Sequence, residues 1–492
     1  MKLRMSMRGT THAFVILLVL LGALPSSRPN VARGATGARQ RRGRVAPAAV
    51  GWHSVPAILA RIRPPEFPAR DFRVTDFGAR PDGSDSTEAI RKAIDACSRA
   101  GGGRVVVPAG TFLTGAIHLK SNVNLHISEG ATLKFSADPA KYLPVVFTRW
   151  EGTELMNYSP LVYAFGQQNI AVTGRGTLDG SASDENWWRW ARGGANAPAR
   201  ADMRRLREMG NSGVPVSRRV FGAGHYLRPP FIQPYRSKNI LIEGIKIINS
   251  PFWEIHPVLS QNVTVRGVNI STHGPNNDGV DPESSRDVLI EDSVFDTGDD
   301  CVAIKSGRDD DGRRVGVPSE NIVVRRSKMR DGHGGVVIGS EISGGVRNVF
   351  VEDCEMDSPR LDRALRFKSN ALRGGVLENV FMRNVRVGRV AEAVLTIDLL
   401  YDTGERGPHR PVVRNVVLEN VTSTASPRVM WIVGFPGVTI EGVRFVNCTF
   451  RGLEAPEVMN HAAAVSFENV TVEPLKRGRS INSPQAAPTP RR

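Results

Sequence analysis

Short apolar runs of period two recur along most of this chain. Asn239-Ile-Leu-Ile-Glu-Gly, Asn262-Val-Thr-Val-Arg-Gly, Asp287-Val-Leu-Ile-Glu-Asp and Asn321-Ile-Val-Val-Arg-Arg share one plan. Asn348-Val-Phe-Val-Glu-Asp, Asn379-Val-Phe-Met-Arg-Asn and Asn415-Val-Val-Leu-Glu-Asn repeat it. An earlier copy begins at Asn169 and a weaker late one surrounds Val438. The interval is about 22–36 residues, the range of solenoid repeats. No helix-length apolar pattern separates the copies, which argues against βαβ units. A strand-only repeat of this length predicts an all-β fold, a parallel β-helix with one coil per copy. The Asn at each start is expected to cap a turn or join a ladder of stacked Asn. On that reading Asn262-Val-Thr, Asn420-Val-Thr and Asn469-Val-Thr are by-products of the rungs, not used glycosylation acceptors.

Three stretches break the pattern. Ala89, Ile90, Ala93, Ile94 and Cys97 recur at helical spacing, and Gly101-Gly102-Gly103 ends that run. Asp85-Ser86-Thr87-Glu88 reads as a capping box, with Asp85 as N-cap and Glu88 reaching back. This helix is expected to cover the open end of the stack, whose edge strands would otherwise be exposed. Asp184 to Arg228 does not repeat; it contains Trp187, Trp188 and Trp190 and predicts a partly helical insertion on the rim. At the N-terminus Lys2, Arg4 and Arg8 precede the apolar run Ala13–Leu24, the form of a secretory signal. The expected organisation is a signal over 1–35, a flexible basic lead-in over 36–70, the solenoid over 71–475 and a basic tail over 476–492. Export, extracellular or periplasmic, follows from the signal, with no membrane attachment after cleavage. A monomer is expected.

The net charge of +16 over 492 residues invites a nucleic-acid reading. Its distribution removes it: residues 1–70 carry +11, residues 476–492 carry +5, and 71–475 sum to zero. The body has no basic stripe with interleaved aromatics. Cys97, Cys301, Cys354 and Cys448 sit inside apolar patterns and read as buried side chains, although an even count permits disulfides.

The chemistry concentrates between Asn276 and Lys368. Asp278, Asp281, Asp299 and Asp300 come first, then Gly332-His333-Gly334, then Arg366-Phe367-Lys368. Coils stack about 4.8 Å apart, so Asp278, Asp299, Asp300, His333, Arg366 and Lys368 can occupy consecutive rungs of one face. Crowded carboxylates repel, so at least one should hold its proton to unusually high pH. A protonated acid beside an ionised one suits glycoside hydrolysis, and acids on adjacent rungs are expected at the inverting separation of roughly 6.5–9.5 Å. Arg366 and Lys368 share a face and suit a carboxylate on the substrate. Asp309-Asp310-Asp311-Gly312 lacks the ligand pattern of a calcium loop and reads as a solvated turn. Trp253 and His256 either line the cleft or pack beneath it.

Asn276-Asn277-Asp278-Gly279, Gly298-Asp299-Asp300, Gly332-His333-Gly334 and Arg366-Phe367-Lys368 together resemble the polygalacturonases, glycoside hydrolase family 28. The resemblance covers about Phe72 to Phe450. It implies a right-handed parallel β-helix of the pectin-lyase-like kind and inverting hydrolysis of α-1,4-linked galacturonate in polygalacturonate or pectic oligosaccharides. It implies Asp299 as general acid, Asp278 and Asp300 as activators of water, and His333 as support for the acid's protonation state. Arg366 and Lys368 would hold a galacturonate carboxylate, with Asn276 and Tyr401 beside the sugar. No metal or other cofactor is implied. Asn277 stands where the family usually has Thr. Leu227-Arg228-Pro229-Pro230-Phe231 and the insertion resemble the exo-acting branch, whose extra loops close one end of the cleft. The tryptophans then either stack on sugar rings or pin the loop. Open alternatives are a rhamnogalacturonan or xylogalacturonan hydrolase, a lyase or epimerase on a similar solenoid, and a non-enzymatic adhesin.

Overall fold

The computed structural model describes residues 50–462 and 465–475. The signal segment, the first part of the lead-in and the 476–492 tail lie outside the described residues. The recurring runs form the longest face of a coil: thirteen strands stack from Asp71–Arg73 to Val465–Glu468, each parallel to the next. A second face carries eight strands and then four. The third holds Val302–Ile304, Val336–Ile338, Arg363–Lys368, Ala393–Asp398, Arg428–Val433 and Val458–Asn460. Single bridges at Ile232, Ile255 and Val280 continue it toward the N-terminus. The fold is a right-handed parallel β-helix, the hand that parallel crossovers favour.

Period-two alternation sends every second residue inward. Val263, Val288, Ile322, Val349, Val380 and Val416 lie one above another and are fully buried. Each such side chain contributes roughly 1.5–3 kcal/mol over exposure. The predicted Asn ladder is present. Asn122, Asn169, Asn239, Asn262, Asn321, Asn348, Asn379 and Asn415 have left-handed φ between 54° and 65°, a conformation Asn tolerates better than most residues. Along most of the row each side-chain amide donates to the oxygen of the rung before it, as Asn348 does to Asn321 at 3.0 Å and Asn379 to Asn348 at 3.1 Å. Asn262, Asn420 and Asn469 spend their amides in such ladders.

The lead-in is ordered from residue 50, not flexible up to 70. A short helix, α1 (Val55–Leu59), packs Val55 and Ile58 with Ile62 on Leu289, Val323 and Phe350 of the long sheet's outer face. Arg61 anchors it by donating to Asp287 at 2.7 Å, in the rung where Asp replaces Asn. The amphipathic helix α2 (Thr87–Arg99) buries Ala89, Ile90, Ala93, Ile94 and Cys97 against the first coils. Its start differs from the expected capping box. Ser86 is the N-cap, Asp85 accepts from the Thr87 amide, and Glu88 turns outward to Arg91. An arginine one turn along offers Glu88 a charge, a stronger partner than a backbone amide.

The insertion carries α3 (Ala199–Asn211). Trp187 is buried against Tyr142 and Tyr158, and the Trp188 indole donates to the Ser250 carbonyl at 2.8 Å. These two tryptophans pin the loop. Asp309–Val315 forms a further helix, α4, where a solvated turn was expected. Arg373 pairs with Asp309 at 2.6 Å and Arg219 with Asp311 at 2.7 Å; these distant arginines draw the acids inward. All four cysteines are free and buried.

Candidate active site

The site lies where the third face passes from single bridges to full strands. Asn277 shapes the turn that presents Asp278. Its amide donates to the carbonyls of Ser250 and Phe252 at 3.0 and 3.1 Å, and its oxygen accepts from Thr272 at 2.7 Å. The change from Thr to Asn therefore still leaves a side chain wired into the turn. One coil on, Asp299 and Asp300 reach the same level. Gly332 makes the next approach possible: its φ is +140°, and a Cβ there would lie 2.3 Å from the Asp299 carbonyl. His333 follows it.

The structure brings the expected residues together. One oxygen from each of Asp278, Asp299 and Asp300 lies within 4.8 Å of the others. His333 Nδ1 meets Asp299 Oδ1 at 3.0 Å. Lys368 Nζ donates to Asp300 at 2.6 Å, and Arg366 approaches Asp300 at 4.0 Å. The Tyr401 ring centroid lies 5.8 Å from the Arg366 guanidinium and 5.6 Å from Lys368 Nζ. Asn276 faces the same cavity and accepts from Arg228 at 2.8 Å.

The protons sit differently from the simplest expectation. Burial, then the charges of Asp281 and Asp299, push Asp278 well above the usual carboxylate range. Burial likewise raises Asp281, up to about 8. Asp299 is depressed: burial works against it, but the His333 hydrogen bond and charge, with Lys368 and Lys305, prevail. His333 is raised to about 9 by the same hydrogen bond.

Lys305, Glu341 and Glu151 are neighbours that were not singled out from the sequence. Lys305 is buried with Nζ 3.4 Å from each of Asp278, Asp281 and Glu341, and 4.3 Å from the Trp253 ring centre. Trp253 lines the cavity, whereas His256 is fully buried and hydrogen-bonded to Gln233 and Glu283. Arg228 is a buried guanidinium held by the carbonyls of Pro251 and Pro275. A lysine ending the run Cys301–Ile304 was the only sequence signal for Lys305. The cavity has a volume of about 670 Å³. Its floor is the acid cluster, and one wall is Glu151 from the hairpin Val146–Asn157 with Arg200 and Arg207 from α3.

The profile of glycosyl hydrolases family 28 matches residues 223–472, and that of rhamnogalacturonase A/epimerase, pectate lyase-like, matches 72–134. An endo-polygalacturonase of Pectobacterium carotovorum subsp. carotovorum is 30% identical over 76% of this chain and 86% of its own. An exo-poly-alpha-D-galacturonosidase of Dickeya chrysanthemi is 29% identical over 83% of this chain and 71% of its own. The crystal structure of a hyperthermoactive exopolygalacturonase from Thermotoga maritima superposes with a TM-score of 0.83 at 47% identity, covering 87% of this chain and 96% of that one. With the acid cluster and its flanking cations on a parallel β-helix, these similarities show that the chain belongs to glycosyl hydrolases family 28, the polygalacturonase family.

Proposed function

We propose that this enzyme hydrolyses α-1,4-galacturonosidic bonds of polygalacturonate and pectic oligosaccharides from a chain end, with inversion. The observation that carries the reading is three aspartates within 4.8 Å of one another, with Arg366 and Lys368 on the same side. Asp299 is the general acid. The His333 imidazolium, 3.0 Å away, gives it a proton; Asp299 passes that proton to the departing glycosidic oxygen, and the pair is reprotonated from solvent after the sugar leaves. Asp278 and Asp300 hold the attacking water, and Asp300 takes its proton. Lys305 beside Asp278 and Lys368 on Asp300 supply the countercharge. Their ammonium contacts also make either acid a poor nucleophile, which favours direct attack by water over a covalent intermediate. Arg366 and Lys368 hold the carboxylate of the sugar being cleaved, and Asn276 and Tyr401 flank it.

Action from a chain end is supported by the wall of α3 and the Val146–Asn157 hairpin, and by the likeness to exo-acting relatives. The basic start and short apolar run support export. Brief digestion of polygalacturonate with product sizing tests the reading. Monomer or dimer alone is expected; a ladder removes exo action, and no reducing-sugar release removes the substrate. Proton NMR of the first-formed anomer tests inversion.

A further inference from the structure

Most cations facing the cavity already have a carboxylate. Arg207 donates to Glu151 at 3.0 Å, and Arg308 bridges Glu151 at 3.1 Å and Glu341 at 3.2 Å. Lys305 sits among three acids, and Lys368 is on Asp300. Arg363 is paired with Asp362 and Glu392. Two guanidiniums lining the cavity hydrogen-bond to no carboxylate among the described residues. One is Arg366, which the proposed function already assigns to the sugar at the cleavage point. The other is Arg200, on α3. Its Nε donates to the Gly194 carbonyl at 3.0 Å, while its terminal amino groups have no protein partner among the described residues. It is exposed and lines the cavity.

The helix that carries Arg200 is held firmly. Leu206 is buried among Trp150, Phe221, Leu227 and Trp253. Asp202 accepts from the Tyr226 amide at 2.7 Å and meets His225 Nδ1 at 2.7 Å. Arg200 and Arg207 are seven positions apart, so two turns bring them to nearly the same face. The Arg207–Glu151 ion pair therefore sets which way that face points, and Arg200 projects into the cavity from it.

We infer that Arg200 is a receptor for the carboxylate of a second uronate unit, one bound beside the unit that Arg366 and Lys368 hold. Two charge readers lining one cavity, one on a coil and one on α3, match a substrate that repeats a carboxylate on every sugar. A planar guanidinium with both amino groups free suits a two-pronged carboxylate contact. The inference rests on the proposed function and adds a determinant that the repeat does not supply.

The test compares the parent enzyme with Arg200→Ala and Arg200→Lys on trigalacturonate at low and high salt. Arg200→Ala is expected to raise KM about 10-fold with kcat nearly unchanged, as loss of a charge-assisted contact predicts. Arg200→Lys is expected to recover part of that loss, and the salt dependence of KM is expected to flatten in Arg200→Ala. Unchanged thermal unfolding shows that the helix remains in place. A KM within twofold of the parent, or a loss confined to kcat, overturns the inference and leaves the proposed function standing. A parent enzyme that releases no sugar from polygalacturonate overturns the proposed function, and this inference with it.

Discussion

The floor of the cleft and its wall are built in opposite ways. The floor takes Asp278, Asp299, Asp300, His333, Arg366 and Lys368 from successive coils. Arg366 and Lys368 lie in a strand held in parallel register, and the three acids and His333 sit in the turns that lead into the rungs of the same face. The wall takes Glu151, Arg200 and Arg207 from segments outside the repeat, and ion pairs and one packed helix hold them. Chemistry requires reacting groups held in close alignment, and a register shared by many rungs supplies it. Blocking a cleft and attracting charge require only bulk and a cation in the right region. An insertion can therefore change where the polymer is cut without disturbing the groups that cut it.

Breaking the floor should have the largest effect. Asp299→Asn is expected to lower kcat about 10³–10⁴-fold, the upper range for a general acid, which is the role proposed for it. Reducing-sugar assays give the rate, and an unchanged circular dichroism spectrum shows that the coil survives.

His333→Gln is expected to cost less, about 10–100-fold at neutral pH, and to change the pH profile. In the parent the imidazolium persists until about pH 9, so activity should fall as pH rises through that value. In the variant the alkaline limb should move to lower pH. The same pair is linked to stability. A folded pKa raised above the unfolded value of about 6.5 gives stability that is complete below about 6.5 and lost as pH rises through the folded pKa. For Asp299, whose folded pKa is depressed, the contribution is complete above the unfolded value of about 3.9 and lost as pH falls toward the folded one. Thermal unfolding across pH would show both.

Breaking the wall should change the products more than the rate. Glu151→Ala removes the acid shared by Arg207 and Arg308. It is expected to add oligomers to the products while the rate falls less than about 10-fold, since the Arg207 pair is partly exposed and buried Arg308 keeps Glu341. Product sizing at a few per cent conversion decides this.

The smallest catalytic effect should come from a ladder residue remote from the cleft. Asn348→Ala loses a bond on each side and places alanine at φ 59°. A loss of about 1–3 kcal/mol in unfolding free energy is expected, with unchanged turnover per folded molecule. Asn348→Gly should lose less, because glycine accepts that φ. Denaturant melts of the two variants check it.

The sequence by itself determined the repeat, the Asn ladder, the capping helix and which residues share the floor. Each follows from a local rule: alternation, left-handed tolerance, helical spacing, and stacking one coil apart. Only tertiary structure decided the rest. Residues 50–70 look like a basic linker until the outer face of the long sheet offers Leu289 and Phe350 to α1. Asp309 and Asp311 look like turn acids until Arg373 and Arg219 arrive from distant segments. Lys305 ends an ordinary strand until folding encloses it among Asp278, Asp281 and Glu341. The opposite shifts of the two acids, upward at Asp278 and downward at Asp299, depend on burial and on the distance between charges. Neither quantity exists before the coils stack, so composition and spacing announce an acid cluster without saying which acid is charged.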